Sequence, residues 1–433
     1  MVRSGLVKSL VGRVFGIVLL GLAGPASAQT PWSAGETTGS ALNIKLVTIG
    51  PGVPLYAWWG HSGMIVEDRR TGISRFYDYG RFSFKQDHFY RNFAIGRLYF
   101  EIGSAPTDAY LEHYRSLDQT VRIQTLDLAP ENALELAKLL DRDVAPGNNV
   151  YLYDHYYDNC ATRLRDILDQ FTDGALKLGA ADDAGVEFRT ETRRFTQHSF
   201  FFDFLLTYLM SDSIDAEMSE WETMFLPERL EQHVASLRIG DGRGGTRPLV
   251  TETVLYYLSR DGRTIADLPD GLHRSALLAA AVFGVLALVG LALDGGGTPT
   301  GRIILGLHLL ITGLVAGALG TTLFFMSIFT DHIVTYGNEN LIYTNPLSFV
   351  LLLAGLRLLR RRSGALLLSV VSAGAFTLAT ALLAISKLVV PMLDQQNWPQ
   401  IALFGAVYLV EFLTVAILHA RHVIIRKQAA SEA

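Results

Sequence analysis

The sequence predicts an α+β exported domain followed by an all-α membrane domain of five helices. Three observations carry that prediction: a change of composition near residue 270, a β-hairpin pattern between Leu55 and Tyr79, and a helical stripe that begins at the chain's single cysteine, Cys160. Residues 30 to 270 are mixed and polar, enough chain for one well-buried domain. From Ser275 onward long apolar runs dominate. The net charge of −5 and the absence of a basic tract argue against a nucleic-acid partner.

At the N-terminus Arg3, Lys8 and Arg13 make a basic opening, Val14–Gly24 an apolar core, and Ala26-Ser27-Ala28 a small-residue cleavage site. Residues 1–28 therefore read as a secretory signal peptide, 29–270 as an extracytoplasmic domain and 271–433 as a transmembrane domain. One cysteine forms no internal disulfide, and an odd thiol in an oxidising compartment marks a reactive group.

Within the exported domain, Leu42–Ile49 has strand character and 50–54 is a Gly/Pro loop. Aromatic and β-branched runs at Leu55–Glu67 and Ile73–Tyr79 flank the turn Asp68–Gly72, a hairpin signature. Further strands are expected near Leu98–Ile102, Val121–Leu126 and Leu249–Leu258. Helices opened by proline are expected at Pro106–Arg115 and Pro130–Asp141. An aromatic run of strand character, Tyr151–Tyr157, leads to Cys160. Downstream, Phe188–Phe195 carries three arginines, Ser199–Leu206 is aromatic and apolar, and Ser219–Leu230 reads as a helix followed by a proline-initiated one.

The membrane part offers spans at roughly 275–294, 303–329, 345–359, 364–386 and 399–418. With the first domain outside, Arg302, the Arg357 to Arg362 cluster and the tail at Arg421, Arg426 and Lys427 fall on the cytoplasmic side. The outer loops Thr330–Thr344 and Val389–Gln400 contain no Lys or Arg, in agreement with the positive-inside rule. The expected location is the inner membrane, with the C-terminus in the cytoplasm. Glu411 falls mid-span, a costly place for a lone carboxyl, and His308 lies at matching depth. A structural Glu–His hydrogen bond is expected.

The chemistry centres on Cys160. Leu164, Ile167, Leu168 and Phe171 recur at helical spacing, and Asp158 or Asn159 is an N-cap that places Cys160 in the first turn. There the positive end of the helix dipole favours a thiolate, and free N–H groups suit a developing oxyanion. Arg163 and Asp166, and Arg165 and Asp169, stand at pairing distance on the polar side. A lone cysteine without such context is more often a buried core residue. A thiolate needs an imidazole to take and return its proton. Of eleven histidines, His61 is best placed, at the start of a strand; His155 is second, on the strand leading to the Cys turn. Asp78, on the return strand of the hairpin, stands almost opposite His61 if the turn is centred near Arg70, and would orient the ring. No HExxH or CxxC is present, so neither a metal nor another cofactor is expected.

Trp58-Trp59-Gly60-His61-Ser62, Phe76-Tyr77-Asp78-Tyr79-Gly80, Tyr157-Asp158-Asn159-Cys160-Ala161-Thr162-Arg163 and Trp221–Pro227 resemble the Lnb-type lipoprotein intramolecular transacylases. Asn338-Glu339-Asn340 and Asn345-Pro346-Leu347 resemble that family's membrane-domain pattern, so the resemblance covers most of the mature chain. The order of His before Cys is similar to circularly permuted relatives of the NlpC-type peptidases, such as lecithin retinol acyltransferase. The resemblance implies a permuted papain-like antiparallel sheet packed on the Cys helix, with Cys160, His61 and Asp78 as the catalytic set. Substrate contacts are expected at Trp59, Tyr157, Asn159 and Arg163 and, from the His- and Asn-rich outer loop, which otherwise reads as a satisfied polar loop, at His332, Asn338 and Asn340. The implied reaction moves the sn-2 acyl chain of a diacylglyceryl-modified lipoprotein to its N-terminal amine, through a Cys thioester. Its partners would be such lipoproteins and membrane lipid. Two rivals stand beside it. A membrane-anchored thiol peptidase or amidase acting on cell-wall peptides predicts an open polar cleft. A non-enzymatic envelope sensor or scaffold predicts a buried Cys160 far from His61.

Overall fold

A computed structural model describes residues 29–431 except 85–86, 264, 266, 270 and 296–298; the signal segment read over 1–28 lies outside the described residues. Contacts divide the chain into two compact units, one running to Phe188 and resuming over Glu217–Ile265, the other formed by Arg189–Ala216 with Ala266–Ala433. The reading of 29–270 as one continuous domain thus differs from the contact pattern, which groups 189–216 with the apolar helices.

The first unit is built on strands β1 (Leu42–Ile49), β2 (His61–Asp68), β3 (Ser74–Arg81), β4 (Tyr99–Pro106), β5 (Val121–Leu126), β6 (Val150–Leu152) and, after the short pairs β7 (Asp183–Glu187) with β8 (Glu217–Ser219) and β9 (Arg238–Gly240) with β10 (Thr246–Pro248), β11 (Val250–Tyr257). Seven of these form one sheet in the order β11-β5-β1-β2-β3-β4-β6. Every pairing in it is antiparallel. Helices α1 (Phe89–Ala94), α2 (Thr107–Ser116), α3 (Pro130–Asp143) and α4 (Cys160–Gln170) are interleaved with the strands.

Alternation along the strands divides the side chains between two cores, most plainly on β2 and β3. Met64, Val66, Tyr77 and Tyr79 join Leu136 and Leu140 of α3 and Leu164 and Leu168 of α4 in one buried cluster. Ile65 and Phe76 join Tyr110 and Leu111 of α2 in another. Each such fully buried aliphatic side chain contributes roughly 1.5–3 kcal/mol. The stripe expected on α4 is the buried one, with Leu164, Ile167, Leu168 and Phe171 each under a tenth exposed.

Several local expectations change. Leu55–Ala57 is a 3-10 turn rather than the start of a strand, and β2 begins only at His61. Gly60, at φ +78°, makes the entry; a Cβ there would stand 2.6 Å from the Ile49 carbonyl oxygen. Pro106 closes β4 instead of opening α2. The aromatic run before Cys160 is strand only through Leu152. Asp154 then accepts the backbone N–H groups of Tyr156 and Tyr157, at 2.8 and 2.9 Å, and folds the run into a turn. His155 is therefore in a turn, not on a strand.

The second unit contains five segments long and apolar enough to cross a membrane: Leu272–Asp294, Pro299–Phe329, Glu339–Leu359, Ala365–Ser386 and Trp398–Ala429. The third is α-helical only over Phe349–Leu359 and begins in 3-10 turns. It packs closely on the second: a Cβ at Gly313 would lie 2.1 Å from the Leu352 nitrogen. The expected pair is present, with His308 Nδ1 2.7 Å from Glu411 Oε1 and Nε2 3.0 Å from the Phe283 carbonyl oxygen. The polar loops are tied by buried charge. Lys387 Nζ lies 2.6 Å from Glu339 Oε2, both side chains under a tenth exposed, and also donates to the carbonyls of Leu393 and Gln395. Arg189 donates to the carbonyls of Thr207, Met210 and Ser211 and pairs with Asp215.

Lys387→Met is expected to destabilise the second unit by about 3–5 kcal/mol, because it strands the Glu339 carboxylate without its cation. Adding Glu339→Gln should restore much of the loss. Thermal unfolding of the two variants in detergent checks this, and equal midpoints for the single and double variants would exclude it.

Candidate active site

The site forms where the first turn of α4 meets the first residue of β2. Asn159 adopts extended backbone angles and caps α4: its Oδ1 accepts the N–H of Ala161 and of Thr162 at 2.8 and 3.0 Å. The Thr162 hydroxyl in turn accepts the Asn159 N–H at 2.8 Å, completing a capping box. Cys160 is thus the first residue of the helix, and its own N–H is the first-turn donor that the cap does not take up. The thiol is half-buried.

His61 lies close enough to that thiol for the two groups to interact electrostatically. Its Nε2 lies 2.9 Å from Asp78 Oδ1, which leaves Nδ1 as the ring nitrogen for the sulfur. Burial works against a charged ring here, yet the charges of Cys160 and then Asp78, with a hydrogen bond to each, outweigh it and hold the imidazole well above its ordinary range. Asp78 is nearly inaccessible. Burial opposes its ionisation too, but His61 and the Gly80 N–H, at 2.7 Å, keep the carboxyl below its usual range. Tyr110 of α2 adds a hydrogen bond to the same carboxylate.

The expected register is corrected by this geometry. Asp78 pairs across the hairpin with Gly63, not with His61. It is a diagonal neighbour on the same face of the sheet, which is why its carboxylate still reaches the ring. Gly80 occupies the place nearest His61, and a Cβ there would stand 2.5 Å from the imidazole Cε1. The glycine closing Phe76-Tyr77-Asp78-Tyr79-Gly80 therefore makes room for the base while its N–H orients the acid. Neither Gly80 nor Tyr110 was singled out in the sequence; the Asp-x-Gly spacing was the available signal.

The second histidine candidate has a different environment. Burial pushes the His155 ring down to about 4. It packs edge-on against Trp59 at 4.8 Å, and its Nδ1 lies 3.3 Å from the Tyr153 hydroxyl. It is a neutral ring held in an aromatic box, and Trp59 is a wall of that box. Tyr157 is half exposed and contacts the rings of Tyr156 and Phe188. Arg163 pairs with Asp158 at 2.6 Å and stacks over Tyr151 at 3.8 Å, rather than pairing with Asp166. Arg165 pairs with Asp166 rather than Asp169, and lies over the Trp221 ring at 4.1 Å.

The motif Trp221–Pro227 has a structural task at this site. The Phe225 carbonyl accepts from Asn159 Nδ2 at 3.0 Å, and the Trp221 carbonyl accepts from Arg165. The motif clamps both the cap and the flank of α4. The outer-loop candidates belong to the other unit. His332 Nδ1 lies 2.8 Å from the Thr330 hydroxyl. The Asn338 and Asn340 amides donate to the Tyr208 carbonyl at 3.1 and 2.8 Å, and both side chains are buried. Their amide groups are engaged inside that unit rather than offered to solvent. Among the described residues no cluster of His, Cys, Asp or Glu has the arrangement of a metal site.

These features define a multi-pass membrane protein whose antiparallel-sheet domain brings a cysteine, a histidine and an aspartate together at the end of the sheet. The family model described as the Lnb N-terminal periplasmic domain matches residues 28–202. Over those residues the chain is similar to that periplasmic domain family. No curated protein and no solved structure gives a significant match.

Two measurements probe the site. At pH 6, iodoacetamide should alkylate the sole cysteine at least about tenfold more slowly in His61→Asn than in the wild type, since the substitution removes the imidazole that takes up the thiol proton. Equal rates would show that His61 does not hold the thiolate. Gly80→Ala should cost about 10²-fold in the rate of any His61-dependent step, by displacing the ring, while circular dichroism stays native.

Proposed function

We propose that this protein is an enzyme of lipoprotein maturation, a cysteine-dependent acyltransferase that moves an acyl chain within a lipoprotein. The observation that carries the proposal is the Cys160–His61–Asp78 arrangement on an Lnb-type domain joined to membrane-length helices. The Cys160 thiolate attacks the carbonyl carbon of the sn-2 ester on the diacylglyceryl group of the lipoprotein's N-terminal cysteine. A C–S bond forms, the ester C–O bond breaks, and His61 gives its proton to the leaving glycerol oxygen. The α-amino group of the same lipoprotein then attacks the thioester. His61 takes the amine proton, the C–S bond breaks, and the thiolate returns. The product is an N-acylated lyso-lipoprotein, with no water consumed. The first-turn N–H of Cys160 is suited to the oxyanion of both tetrahedral intermediates. Asp78 fixes the ring and sustains its charge.

Orientation follows from the charge pattern of the connections: the first domain is extracytoplasmic, and the Arg357 to Arg362 cluster and the C-terminal tail are cytoplasmic. A covalent tether to membrane helices keeps the thiol on the membrane that holds the substrate ester, which raises its effective concentration. A sensor or scaffold reading expects a buried thiol far from His61, and the closeness of the two disfavours it.

The test expresses the wild type and Cys160→Ala in a host without its own lipoprotein N-acyltransferase and takes mass spectra of a lipoprotein's N-terminal peptide. Unchanged total mass with one acyl chain moved from glycerol to nitrogen, in the wild type alone, is expected. A diacylglyceryl peptide with a free amine in both strains would overturn the reading. The pH profile carries a second expectation. His61 loses its proton above its ordinary range, so acyl transfer that needs the imidazolium persists above pH 6.5 and falls at higher pH. Asp78→Asn removes a charge that raises the ring, and should move that fall to lower pH. An unmoved limb would separate Asp78 from the base.

A further inference from the structure

A run of near-parallel aromatic rings starts at Tyr153, which packs against the same core cluster as Cys160, and ends in solvent. Tyr153 stacks on Phe100 at 4.1 Å and 17°. Phe100 stacks on Phe82 at 5.0 Å and 18°. Phe82 lies 6.5 Å from Phe89 at 21°, and Phe89 lies 6.3 Å from Phe93 at 19°. Tyr56 meets Phe82 edge-on at 5.5 Å. The inner rings pack against the main core, but at the outer end Phe93 is 55% and Tyr56 42% exposed. Core packing does not account for those outer rings, which leave much of their faces to water.

We propose that this run is the wall of an acyl-chain site, along which one fatty acyl chain lies with its carbonyl at Cys160 and its methyl end toward Phe93. The inference rests on the acyl-transfer reading and deepens it by assigning the residues that recognise the chain. A peptide in this place would need hydrogen-bond partners for its backbone groups, and stacked phenylalanine faces supply none. An alkyl chain needs only apolar area, which the successive rings from Tyr153 to Phe93 provide. The five membrane-length segments on the same chain put that area on a protein of the lipid phase. The wall also explains a sequence feature that the catalytic set does not use: the phenylalanines at 82, 84, 89 and 93, of which 89 and 93 stand four apart on α1 and so share a face.

The test uses the full-length protein in detergent and the fact that Cys160 is its only cysteine. Iodoacetamides with N-alkyl tails from ethyl to hexadecyl are reacted with it, and each rate is divided by the same protein's rate with plain iodoacetamide. The wild type should favour the long tail by at least about tenfold, since each buried methylene favours binding by about fourfold. Phe82→Ala should flatten the preference. Phe93→Glu, an exchange at an exposed position that should fold, places a charge at the methyl end and should reject the longest tails while retaining intermediate ones. A tail ratio identical in the wild type and both variants overturns the wall. The assay contains no lipoprotein, so the two readings fail separately. Tail preference without O-to-N transfer in the mass spectra keeps the wall and removes the acceptor assignment. Transfer with a flat tail ratio does the reverse.

Discussion

The side chain of Asn159 is the interaction on which the rest of the site depends. Its oxygen closes the first turn of the Cys160 helix, and its nitrogen donates to the carbonyls of His155 and Phe225. One nearly inaccessible amide therefore joins the aromatic turn before the cysteine, the helix after it and the Trp221–Pro227 segment from far along the chain. A hydrogen bond of this kind adds only about 1 kcal/mol net, but each buried partner left unmade costs about 1–3 kcal/mol. Losing any one of these partners therefore weakens the order of the turn, the helix and the distant motif alike. Placing the thiol in the first turn is a by-product of satisfying that amide.

His61 inherits its position from a different constraint. It is the first residue of β2, where Gly60 lets the chain pass against the Ile49 carbonyl, so the imidazole stands at the end of the sheet instead of within it. Helices α2 and α4 cover opposite faces, and the first turn of α4 carries Cys160 close to His61 at the end of the sheet. The ring then lies between the Cys160 sulfur and the Asp78 carboxylate. Each disfavours loss of the proton, and together they outweigh the burial that would otherwise neutralise it. His155, closer in sequence but boxed by Trp59, Tyr156 and Phe225, is driven the other way. The same residue type is a charged partner in one place and a neutral packing group in the other, and the difference is entirely environmental.

That contrast also explains what was legible from the residues. The cap, the apolar stripe of α4, the hairpin, the five apolar segments and the His308–Glu411 pair all follow from local spacing, hydropathy or depth, and these are present in the structure. The register between Asp78 and His61 was not legible, because it depends on how the turn after Asp68 closes: the Asp68 side chain accepts the Arg70 N–H, and the Asp68 N–H donates to Ile73. Nor were the arginine partners, since Arg163 and Arg165 leave the helix-spaced carboxylates for Asp158, Tyr151, Asp166 and Trp221, and the aromatic partners lie outside the helix. The short strand β6 was over-read for a related reason. Aromatic composition favours a strand, but Asp154 offers the backbone a competing turn.

On the acyl-transfer reading, the hardest demand on this site is not forming the thioester but choosing what ends it. Water is always present at a periplasmic surface, and a thioester exposed to it would simply hydrolyse. The amine that accepts the chain is on the same molecule as the glycerol that gave it up, so once the lyso-lipoprotein stays bound the second step is effectively unimolecular. Well-oriented groups of that kind reach effective molarities on the order of 10⁵–10⁸ M, far above any concentration of bulk solvent. The protein therefore needs no dedicated device to activate the amine beyond a base to take its proton, which His61 becomes once it has protonated the glycerol oxygen. What it needs is retention of the leaving half while the acyl half is on the thiol. A wall that grips the chain from Cys160 outward fixes the thioester carbonyl at the helix N-terminus. The membrane anchors the remaining chain of the lipoprotein nearby. Retention by two apolar phases, one in the protein and one in the bilayer, is a sufficient physical basis for transfer to outrun hydrolysis.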